Sequence, residues 1–370
     1  MRNVAMYSRL EHIPPRVGAL LDECGREDFF LGTEWFRLLA SHALPEGAVP
    51  RLYVVSDGDD IECVLVTVMV PRGRWYFPRQ LDSLTNFYTI GYAPVLRRDL
   101  KDDRAPLEAL VEFIAGERPR WSIIELRNLI AREHLTQRLL VEFRRHSFLA
   151  STYFQFDNWY EPTAGLSARD YFASRPSRVR NTITRKGKRL EREHKVDFHV
   201  YRTVEETKPA LAHYHHVYAR SWKLPEAYPD FIPSLVRIAA EKGILRLGVL
   251  SIDETPAAAQ IWIVAGQRAT IYKLAYDEAF AATSAGSILT KRMFDEILDK
   301  DDVREVDYGI GGEPYKLEWM GSRRQGVGLI AFNLRTLPGL FGAVRHVSGQ
   351  QTRRWRRIPS PATRAEDVED

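Results

Sequence analysis

The stretch DYGIGGEPYKLEW, residues 307–319, places acidic, phenolic and amine groups around three glycines, directly after a strand-like run. Asp307 could act as a base, Tyr315 could protonate a leaving thiolate, and Lys316 could hold an anion. Tyr308 belongs to the same group, because α/β proteins often place chemistry where a strand ends. The alternative is a structural turn whose aromatic residues only pack. The pattern is not a dinucleotide fingerprint, which needs GxGxxG followed by a helix.

A second candidate site lies at residues 284–287, where the segment TSAGSIL leads from a strand-like run into a helix. A helix start offers unpaired backbone N–H groups and the positive end of the helix dipole. Gly286 lacks a Cβ atom, so a pyrophosphate could approach the backbone closely. The predicted cradle consists of Ser284, Ala285, Gly286 and Ser287. The alternative is an ordinary helix cap with a glycine that eases packing.

Two further segments carry clustered polar residues. Residues 175–195 contain nine Lys and Arg but only two Glu. This pattern is typical of a solvated helix face, and binding of an anionic substrate, a phosphate or RNA is the competing interpretation.

The cluster HYHH, His213–His216, lacks an HExxH pattern and a neighbouring carboxylate, so we predict no metal site. No zinc-finger spacing occurs, and DNA is not expected as a partner.

Composition narrows the class of protein. The chain has 370 residues and a net charge of +4, with a pI of about 8.9, which suits an anionic partner. The two cysteines, Cys24 and Cys63, form no CxxC pair, so a reducing cytoplasm is the expected location.

The apolar runs fall far short of the roughly 20 residues that span a bilayer. GLFGAVRHV followed by RRWRRI indicates either a surface-lying membrane anchor or an ordinary terminal helix.

The elements that must position these residues follow one α/β pattern twice. Hydrophobic periodicity predicts a helix, a strand meander, then alternating helices and strands in the first half. The second half starts with a basic helix at 168–194 and repeats this order, with an antiparallel meander at 244–277. We therefore predict an α/β (α+β) fold with two domains, 1–160 and 161–345. Residues 346–370 form a basic and then acidic tail, predicted to be disordered.

The second half also resembles a known family. The segments SRVRNTITRKGKRLE, YARSW, GVLSIDETPAAAQIWIVAG, YKLAYDEAFAATSAGSIL and VDYGIGGEPYKLEWM are similar, in this order, to the CelD/BioF-like acetyltransferase branch of the GNAT superfamily. That branch is related to the Fem-type aminoacyl transferases. The resemblance covers roughly residues 165–335. It implies two tandem GNAT-like domains, each a mixed, largely antiparallel sheet flanked by helices, with a degenerate first domain and an acyltransferase second domain.

This resemblance implies N-acyl transfer from an acyl-CoA, favouring acetyl-CoA, to an amine held between the halves. The family's acceptors suggest an amino sugar or another precursor of exopolysaccharide or the cell envelope, small or linked to a lipid or polymer. In the cradle, Thr283 takes the place of the first residue of the family's Q/R-x-x-G-x-G/A loop, and the second glycine is absent. An aminoacyl-tRNA-dependent ligase and a non-catalytic binding module therefore remain alternatives. Asp307 is predicted as the base and Tyr315 as the acid, and the predicted acceptor-binding residues are Arg180, Arg185, Trp222, Tyr276, Tyr308 and Lys316.

Overall fold

The strands of the described part of the chain form one continuous sheet. The computed structural model describes residues 2–71, 78–130 and 133–355, with side chains as far as residue 348. The strands are β1 Asn3–Tyr7, β2 Val49–Asp57, β3 Asp60–Met69, β4 Gln80–Ser83, β5 Val95–Leu96, β6 Ile123–Leu129, β7 Phe148–Pro162, β8 Val196–Tyr201, β9 Leu245–Ile252, β10 Thr255–Ala265, β11 Arg268–Tyr276, β12 Glu305–Ile310 and β13 Ser322–Asn333. The helices are α1 Pro15–Glu27, α2 Thr33–His42, α3 Arg104–Gly116, α4 Glu133–Arg145, α5 Ala168–Ser174, α6 Ser177–Glu193, α7 Thr207–Ala219, α8 Phe231–Glu241, α9 Ala285–Lys300 and α10 Leu337–Trp355.

The two halves of the sheet have the same arrangement, in which a series of antiparallel strands leads to one parallel pair. The two halves join at the centre of the sheet. Its order is β1-β2-β3-β4-β6-β13-β7-β12-β11-β10-β9-β8, with β5 beside β3. The pairs β4/β6 and β11/β12 are parallel, and the other pairs are antiparallel. The predicted fold class, a mixed and largely antiparallel sheet flanked by helices, is confirmed.

The two halves exchange strands at the centre of the sheet. The last strand of the second half, β13, pairs with β6 of the first half along one edge and with β7 along the other. In turn, β7 pairs with β12 of the second half. The predicted domain boundary at residue 160 falls within β7, so each half supplies backbone partners to the other. This shared sheet fixes where the two halves meet.

The strands β11 and β12 pair only at their beginnings. The parallel register runs from Arg268 opposite Glu305 to Thr270 opposite Asp307, and beyond that point the strands diverge. A bulge in β11 leaves Tyr272 without an opposite residue on β10. A bulge bends its strand and redirects the following side chains. The result is an opening in the sheet between the second parts of β11 and β12.

An aromatic stack fixes the segment that follows β12. Trp319 is buried, and its ring lies parallel to that of Phe294 on α9 with 5.6 Å between the centroids. The ring of Tyr171 on α5 stacks on the same Phe294 at 4.2 Å, and the Tyr171 hydroxyl donates to the Trp319 carbonyl at 2.7 Å. Such stacking adds specific contacts to the area that these large side chains bury. The stretch that opened the sequence analysis is therefore anchored at its carboxyl end.

The predicted helix at 168–194 is in fact two helices, α5 and α6. The chain is extended at Arg175 and Pro176, because a proline disfavours the helical conformation of the residue before it. The break buries the Arg175 guanidinium, which pairs with Glu161 at 2.7 Å and donates to the Trp319 carbonyl at 2.6 Å. The interruption thus ties the two helices to the central strand β7.

The last helix extends into the predicted tail. Residues 346–355 belong to α10, whereas the tail was predicted to be disordered from residue 346. Residues 356–370 lie outside the described residues, so their predicted disorder stays a prediction. Within the described ranges, no helix combines the length and apolar character that crossing a membrane requires.

Candidate functional site

A cleft of about 230 Å³ lies where β11 and β12 diverge. Strand β11 forms one wall with residues 271–274, and the end of β12 forms another with residues 308–310. Residues 87–90 of the first half close a third side, so the cleft lies at the junction of the two halves. The remaining lining residues are Lys223, Glu313, Tyr315 and Lys316. The predicted residues Tyr308, Tyr315 and Lys316 are therefore brought together.

The glycines of GIGG shape the cleft wall. Gly309 has a φ of +71° and Gly311 a φ of +123°, conformations that other residues rarely adopt. A Cβ on Gly311 would also collide with the Glu313 carboxylate. Lys316 is buried, with its Nζ 2.5 Å from the Ile310 carbonyl and 3.0 Å from Glu313 Oε2. The charge of Lys316 thus holds this turn in place, which matches the structural-turn alternative for the glycines.

Asp307 does not line the cleft. Its Oδ1 accepts hydrogen bonds from Asn158 Nδ2 at 2.6 Å and from the Gly309 amide at 2.7 Å. Its Oδ2 accepts from Arg324 Nη2 at 2.7 Å, and Arg324 also binds both oxygens of Glu305. A buried carboxylate held by three donors is poorly placed to take a proton from a substrate. This geometry argues against the predicted base role and favours a positioning role at the end of β12.

Tyr315 is placed as the predicted acid requires. Its side chain lines the cleft, is 41% exposed, and meets the ring of Tyr308 edge-on at 5.7 Å. Partial burial and the neighbouring Glu313 carboxylate raise the pKa of the Tyr315 phenol to about 12. The phenol therefore carries its proton at neutral pH, and the raised pKa makes it a weaker acid than an ordinary tyrosine. The acid role stays a prediction.

A buried ion-pair network that the sequence did not reveal supports the cleft. Glu226, from the segment after α7, accepts a hydrogen bond from Tyr88 at 2.6 Å and pairs with Lys273 of β11 at 2.7 Å. Burial opposes ionisation of Glu226, but these partners lower its pKa overall. Three separate segments supply the network, and no spacing in the sequence connects them.

Lys223 is the cleft lysine that lacks a carboxylate partner, and its Nζ lies 5.8 Å from the centroid of the Trp222 ring in a cation–π contact. Within the described ranges, its Nζ makes no hydrogen bond and no ion pair, whereas Lys273 pairs with Glu226 and Lys316 with Glu313. Burial is the main cause that lowers the pKa of Lys223 to about 8, and repulsion by the nearby Lys273 is the second. The carboxylates of Glu226 and Glu313 act in the opposite direction and raise this pKa. The cleft thus presents one uncompensated cation.

Replacing Lys223 with Met is expected to raise the melting temperature at pH 7 by roughly 2 °C. The pKa in the folded protein, about 8, lies below the ordinary 10.5, so the charged form is disfavoured by folding. The native lysine loses this penalty as the pH rises from about 8 to about 10.5, and the advantage of the variant shrinks over that window. Thermal unfolding of both proteins across this range checks the prediction. Lys101→Met, at an exposed loop position, is the control and should show no such trend.

The predicted cradle at the start of α9 has free amides. Among the described residues, the backbone N–H groups of Ala285, Gly286 and Ser287 donate no hydrogen bond. Ser284 caps the helix with a φ of +61°, and Lys186 Nζ donates to its Oγ at 2.8 Å. A lysine, three free amides and the helix dipole therefore converge on one position that suits an anion.

Two predicted aromatic residues pack at the start of α9. A Cβ on Gly286 would lie 3.2 Å from the ring of Tyr276, so the helix start and this ring are closely packed. Trp222 packs on Tyr276 with 4.7 Å between the ring centroids. Each ring is close in sequence to a cleft residue, Trp222 to Lys223 and Tyr276 to Leu274. The pair therefore packs the helix start against two segments that also supply cleft residues.

The predicted arginines of α6 are not brought into the cleft. Arg180 donates to the Arg175 carbonyl at 3.0 Å, and Arg185 is exposed. Neither residue lines the cleft at β11 and β12. The charge of this helix could be read from the sequence, but the direction in which its side chains point could not. Their assignment to the acceptor is therefore not supported by their positions.

The first imidazole of HYHH, that of His213, is half-buried and bonded within the fold, whereas His215 is exposed. His213 Nδ1 lies 2.8 Å from the Tyr201 hydroxyl, and burial lowers the pKa of His213. Within the described ranges, no group of three or more His, Cys, Asp or Glu is arranged to hold a metal ion.

Comparison with known proteins identifies the second half and the fold. Residues 177–317 match the family model of the acetyltransferase (GNAT) domain, which confirms the predicted GNAT resemblance. The structure is similar to that of FemX, with a TM-score of 0.61 at 10% identity over 89% of this chain and 97% of that one. It is also similar to L-PGS from Bacillus licheniformis, with a TM-score of 0.53 at 14% identity over 90% and 96% of the two chains.

A conserved protein of unknown function from Bacteroides thetaiotaomicron VPI-5482 gives a TM-score of 0.53 at 10% identity, over 89% of this chain and all (100%) of that one. At these identities the similarity concerns the fold alone. No curated protein matches the chain in sequence.

Proposed function

We propose that the protein is an N-acyltransferase that moves an acyl group, in the first instance acetyl, from an acyl-CoA to an amine. The observation that supports this proposal is that the segment matching a GNAT domain contains free helix-start amides, an aromatic pair packed at that helix start, and the diverging strands that line the cleft. The amides of Ala285, Gly286 and Ser287 would bind the donor pyrophosphate together with Lys186. The thioester would then pass Trp222 and Tyr276 and enter the cleft.

In the proposed reaction the acceptor nitrogen attacks the thioester carbonyl, so that a C–N bond forms and the C–S bond breaks. The leaving thiolate takes the proton of Tyr315. The attacking nitrogen loses a proton, for which Glu313 is the available cleft carboxylate, with its side chain 51% exposed and able to pass the proton to water. Unpaired backbone N–H groups of β11 beyond Thr270 would stabilise the oxyanion. Alignment of the two reactants supplies much of the rate, because the mechanism uses no covalent enzyme intermediate.

The unpaired Lys223 favours an acceptor with an anionic group close to its amine. A half-buried cation that lacks a carboxylate partner is stabilised by an anionic ligand. An amino sugar within a phosphorylated or lipid-linked envelope or exopolysaccharide precursor has this chemistry, and the family resemblance favours the same class. The reaction would then take place in the cytoplasm, at or near the inner face of the membrane.

Calorimetric titration of the full chain with acetyl-CoA tests the donor. We expect saturable binding in the micromolar range with a stoichiometry of one, and release of CoA thiol when amino sugars are added. Transfer that occurs only with aminoacyl-tRNA as the donor, and that RNase abolishes, would instead support the ligase alternative. In that case the exposed arginines of α6 would form a salt-sensitive RNA surface. If the protein binds neither acetyl-CoA nor aminoacyl-tRNA, the non-catalytic binding module is the remaining alternative.

A further inference from the structure

Helix α10 carries an exposed apolar stripe. Five large apolar side chains of this helix are between 42% and 84% exposed. Their spacing of three and four residues places them on one face of the helix. They are Leu337, Leu340, Phe341, Val344 and Val347. An exposed patch of this kind on a soluble domain usually marks an interaction surface.

Packing of the opposite face keeps the apolar stripe exposed. Ala343 is buried, and a Cβ on Gly342 would lie 2.7 Å from the ring of Phe332 on β13. A Cβ on Gly339 would collide with the Asn333 carbonyl. The His346 ring lies 2.8 Å from the Ser151 hydroxyl of β7. The helix therefore rests on the sheet through its small residues and cannot turn the stripe inward without losing these contacts.

The sequence on both sides of the stripe is basic, and acidic residues follow only from residue 366 onward. From residue 319 to residue 365 the sequence contains no Asp or Glu and nine Arg. Arg345 lies on α10 itself and is exposed, and Arg353 and Arg354 precede Trp355 at the end of the helix. An apolar face with flanking arginines and a terminal tryptophan is the pattern of helices that lie in a membrane interface.

We propose that the apolar stripe of α10 binds the surface of an anionic lipid bilayer, with its side chains among the acyl chains and the flanking arginines on the lipid phosphates. Charge complementarity selects this partner. A contact between two copies of the stripe would offer these arginines no acidic partner, because α10 contains no Asp or Glu. The inference rests on α10 alone and does not depend on the acyl-transfer proposal.

Co-sedimentation of the full chain with vesicles tests this surface. We expect binding to vesicles of phosphatidylcholine with 30% phosphatidylglycerol, and weak binding to phosphatidylcholine alone. The double variant Leu337→Ser, Phe341→Ser should reduce the partition coefficient about tenfold or more, because it removes two of the most exposed anchors. The matched control is Leu224→Ser, at a position 84% exposed outside α10, which should bind as the parent does.

Equal binding of the double variant and the parent would overturn the proposal, as would absence of binding to the anionic vesicles at low salt. A concentration-dependent dimer that the double variant abolishes, without vesicle binding in the parent, would also overturn it and make the stripe a contact between copies. Circular dichroism of each variant verifies that the fold is intact, which is expected because the substituted side chains are exposed.

Discussion

Ser287→Asp is expected to weaken acetyl-CoA binding by on the order of 100-fold while leaving the protein folded. Ser287 is exposed in the first turn of α9, and its backbone N–H is one of the free amides of the predicted cradle. A carboxylate at this position would repel the donor pyrophosphate. The same carboxylate favours the helix itself by about 0.3–1 kcal/mol, because a negative charge at a helix start interacts well with the dipole. Binding and stability should therefore change in opposite directions.

The matched control for this variant is Ser287→Asn, which has nearly the same size and no charge. Calorimetric titration of both variants with acetyl-CoA, combined with thermal unfolding, gives the comparison. We expect Ser287→Asn to bind within about threefold of the parent, because a neutral side chain at an exposed position leaves the amides accessible. If the Asp and Asn variants bind acetyl-CoA equally well, the donor does not lie at the start of α9. If the Asp variant also unfolds more easily, the loss of binding reports damage rather than repulsion.

Asp307→Asn is expected to lower the free energy of unfolding by about 3 kcal/mol, the lower end of the range for breaking a buried ion pair. The new amide group would face Arg324 Nη2, so two donors would meet where a charge pair now lies 2.7 Å apart. The hydrogen bonds to Asn158 and Gly309 can persist on the remaining carbonyl oxygen. Arg324 keeps Glu305 as a partner, which limits the loss. Urea unfolding measures the effect as a lower midpoint with an unchanged slope.

The same variant separates the two roles considered for Asp307. A positioning residue should leave the turnover of the folded variant within about tenfold of the parent, whereas a general base contributes typically 10²–10⁴-fold. Turnover is therefore measured at a temperature and urea concentration at which the variant is folded. Tyr315→Phe serves as the comparison, because it removes the predicted acid from an exposed position. A variant with parental stability and a turnover lowered more than 100-fold would restore Asp307 as the base.

The local features of the protein could be predicted from sequence. The helix expected at about Ser284 begins at Ala285, and the meander expected at 244–277 is the antiparallel series β9, β10 and β11. Both predictions used periodicity and small residues at a helix start, which depend on neighbours a few positions away. The break at Pro176 is a local feature too, since a proline disfavours the helical conformation of the residue before it, but the basic pattern of 168–194 predicts a single helix across it. The resemblance to the GNAT family was correct for the same local reason, because its segments follow one another along the chain.

The partners of each side chain depended on the tertiary structure. Successive side chains of β12 point to opposite faces of the sheet, and only the pairing of β12 with β7, which lies beside β13, determines that Asp307 meets Asn158 and Arg324 instead of the cleft. Tyr88, Glu226 and Lys273 come from segments far apart in sequence, so only folding brings them together.

The sequence by itself thus determined the elements, the family of the second half and the position of the helix-start amides, because hydrogen bonding and hydrophobic periodicity act over a few residues. The tertiary structure alone decided the exchange of β7 and β13, the opening between β11 and β12, and the burial that lowers the pKa of Lys223. Strand register and desolvation are set by contacts between distant segments, and these contacts exist only once the chain has folded.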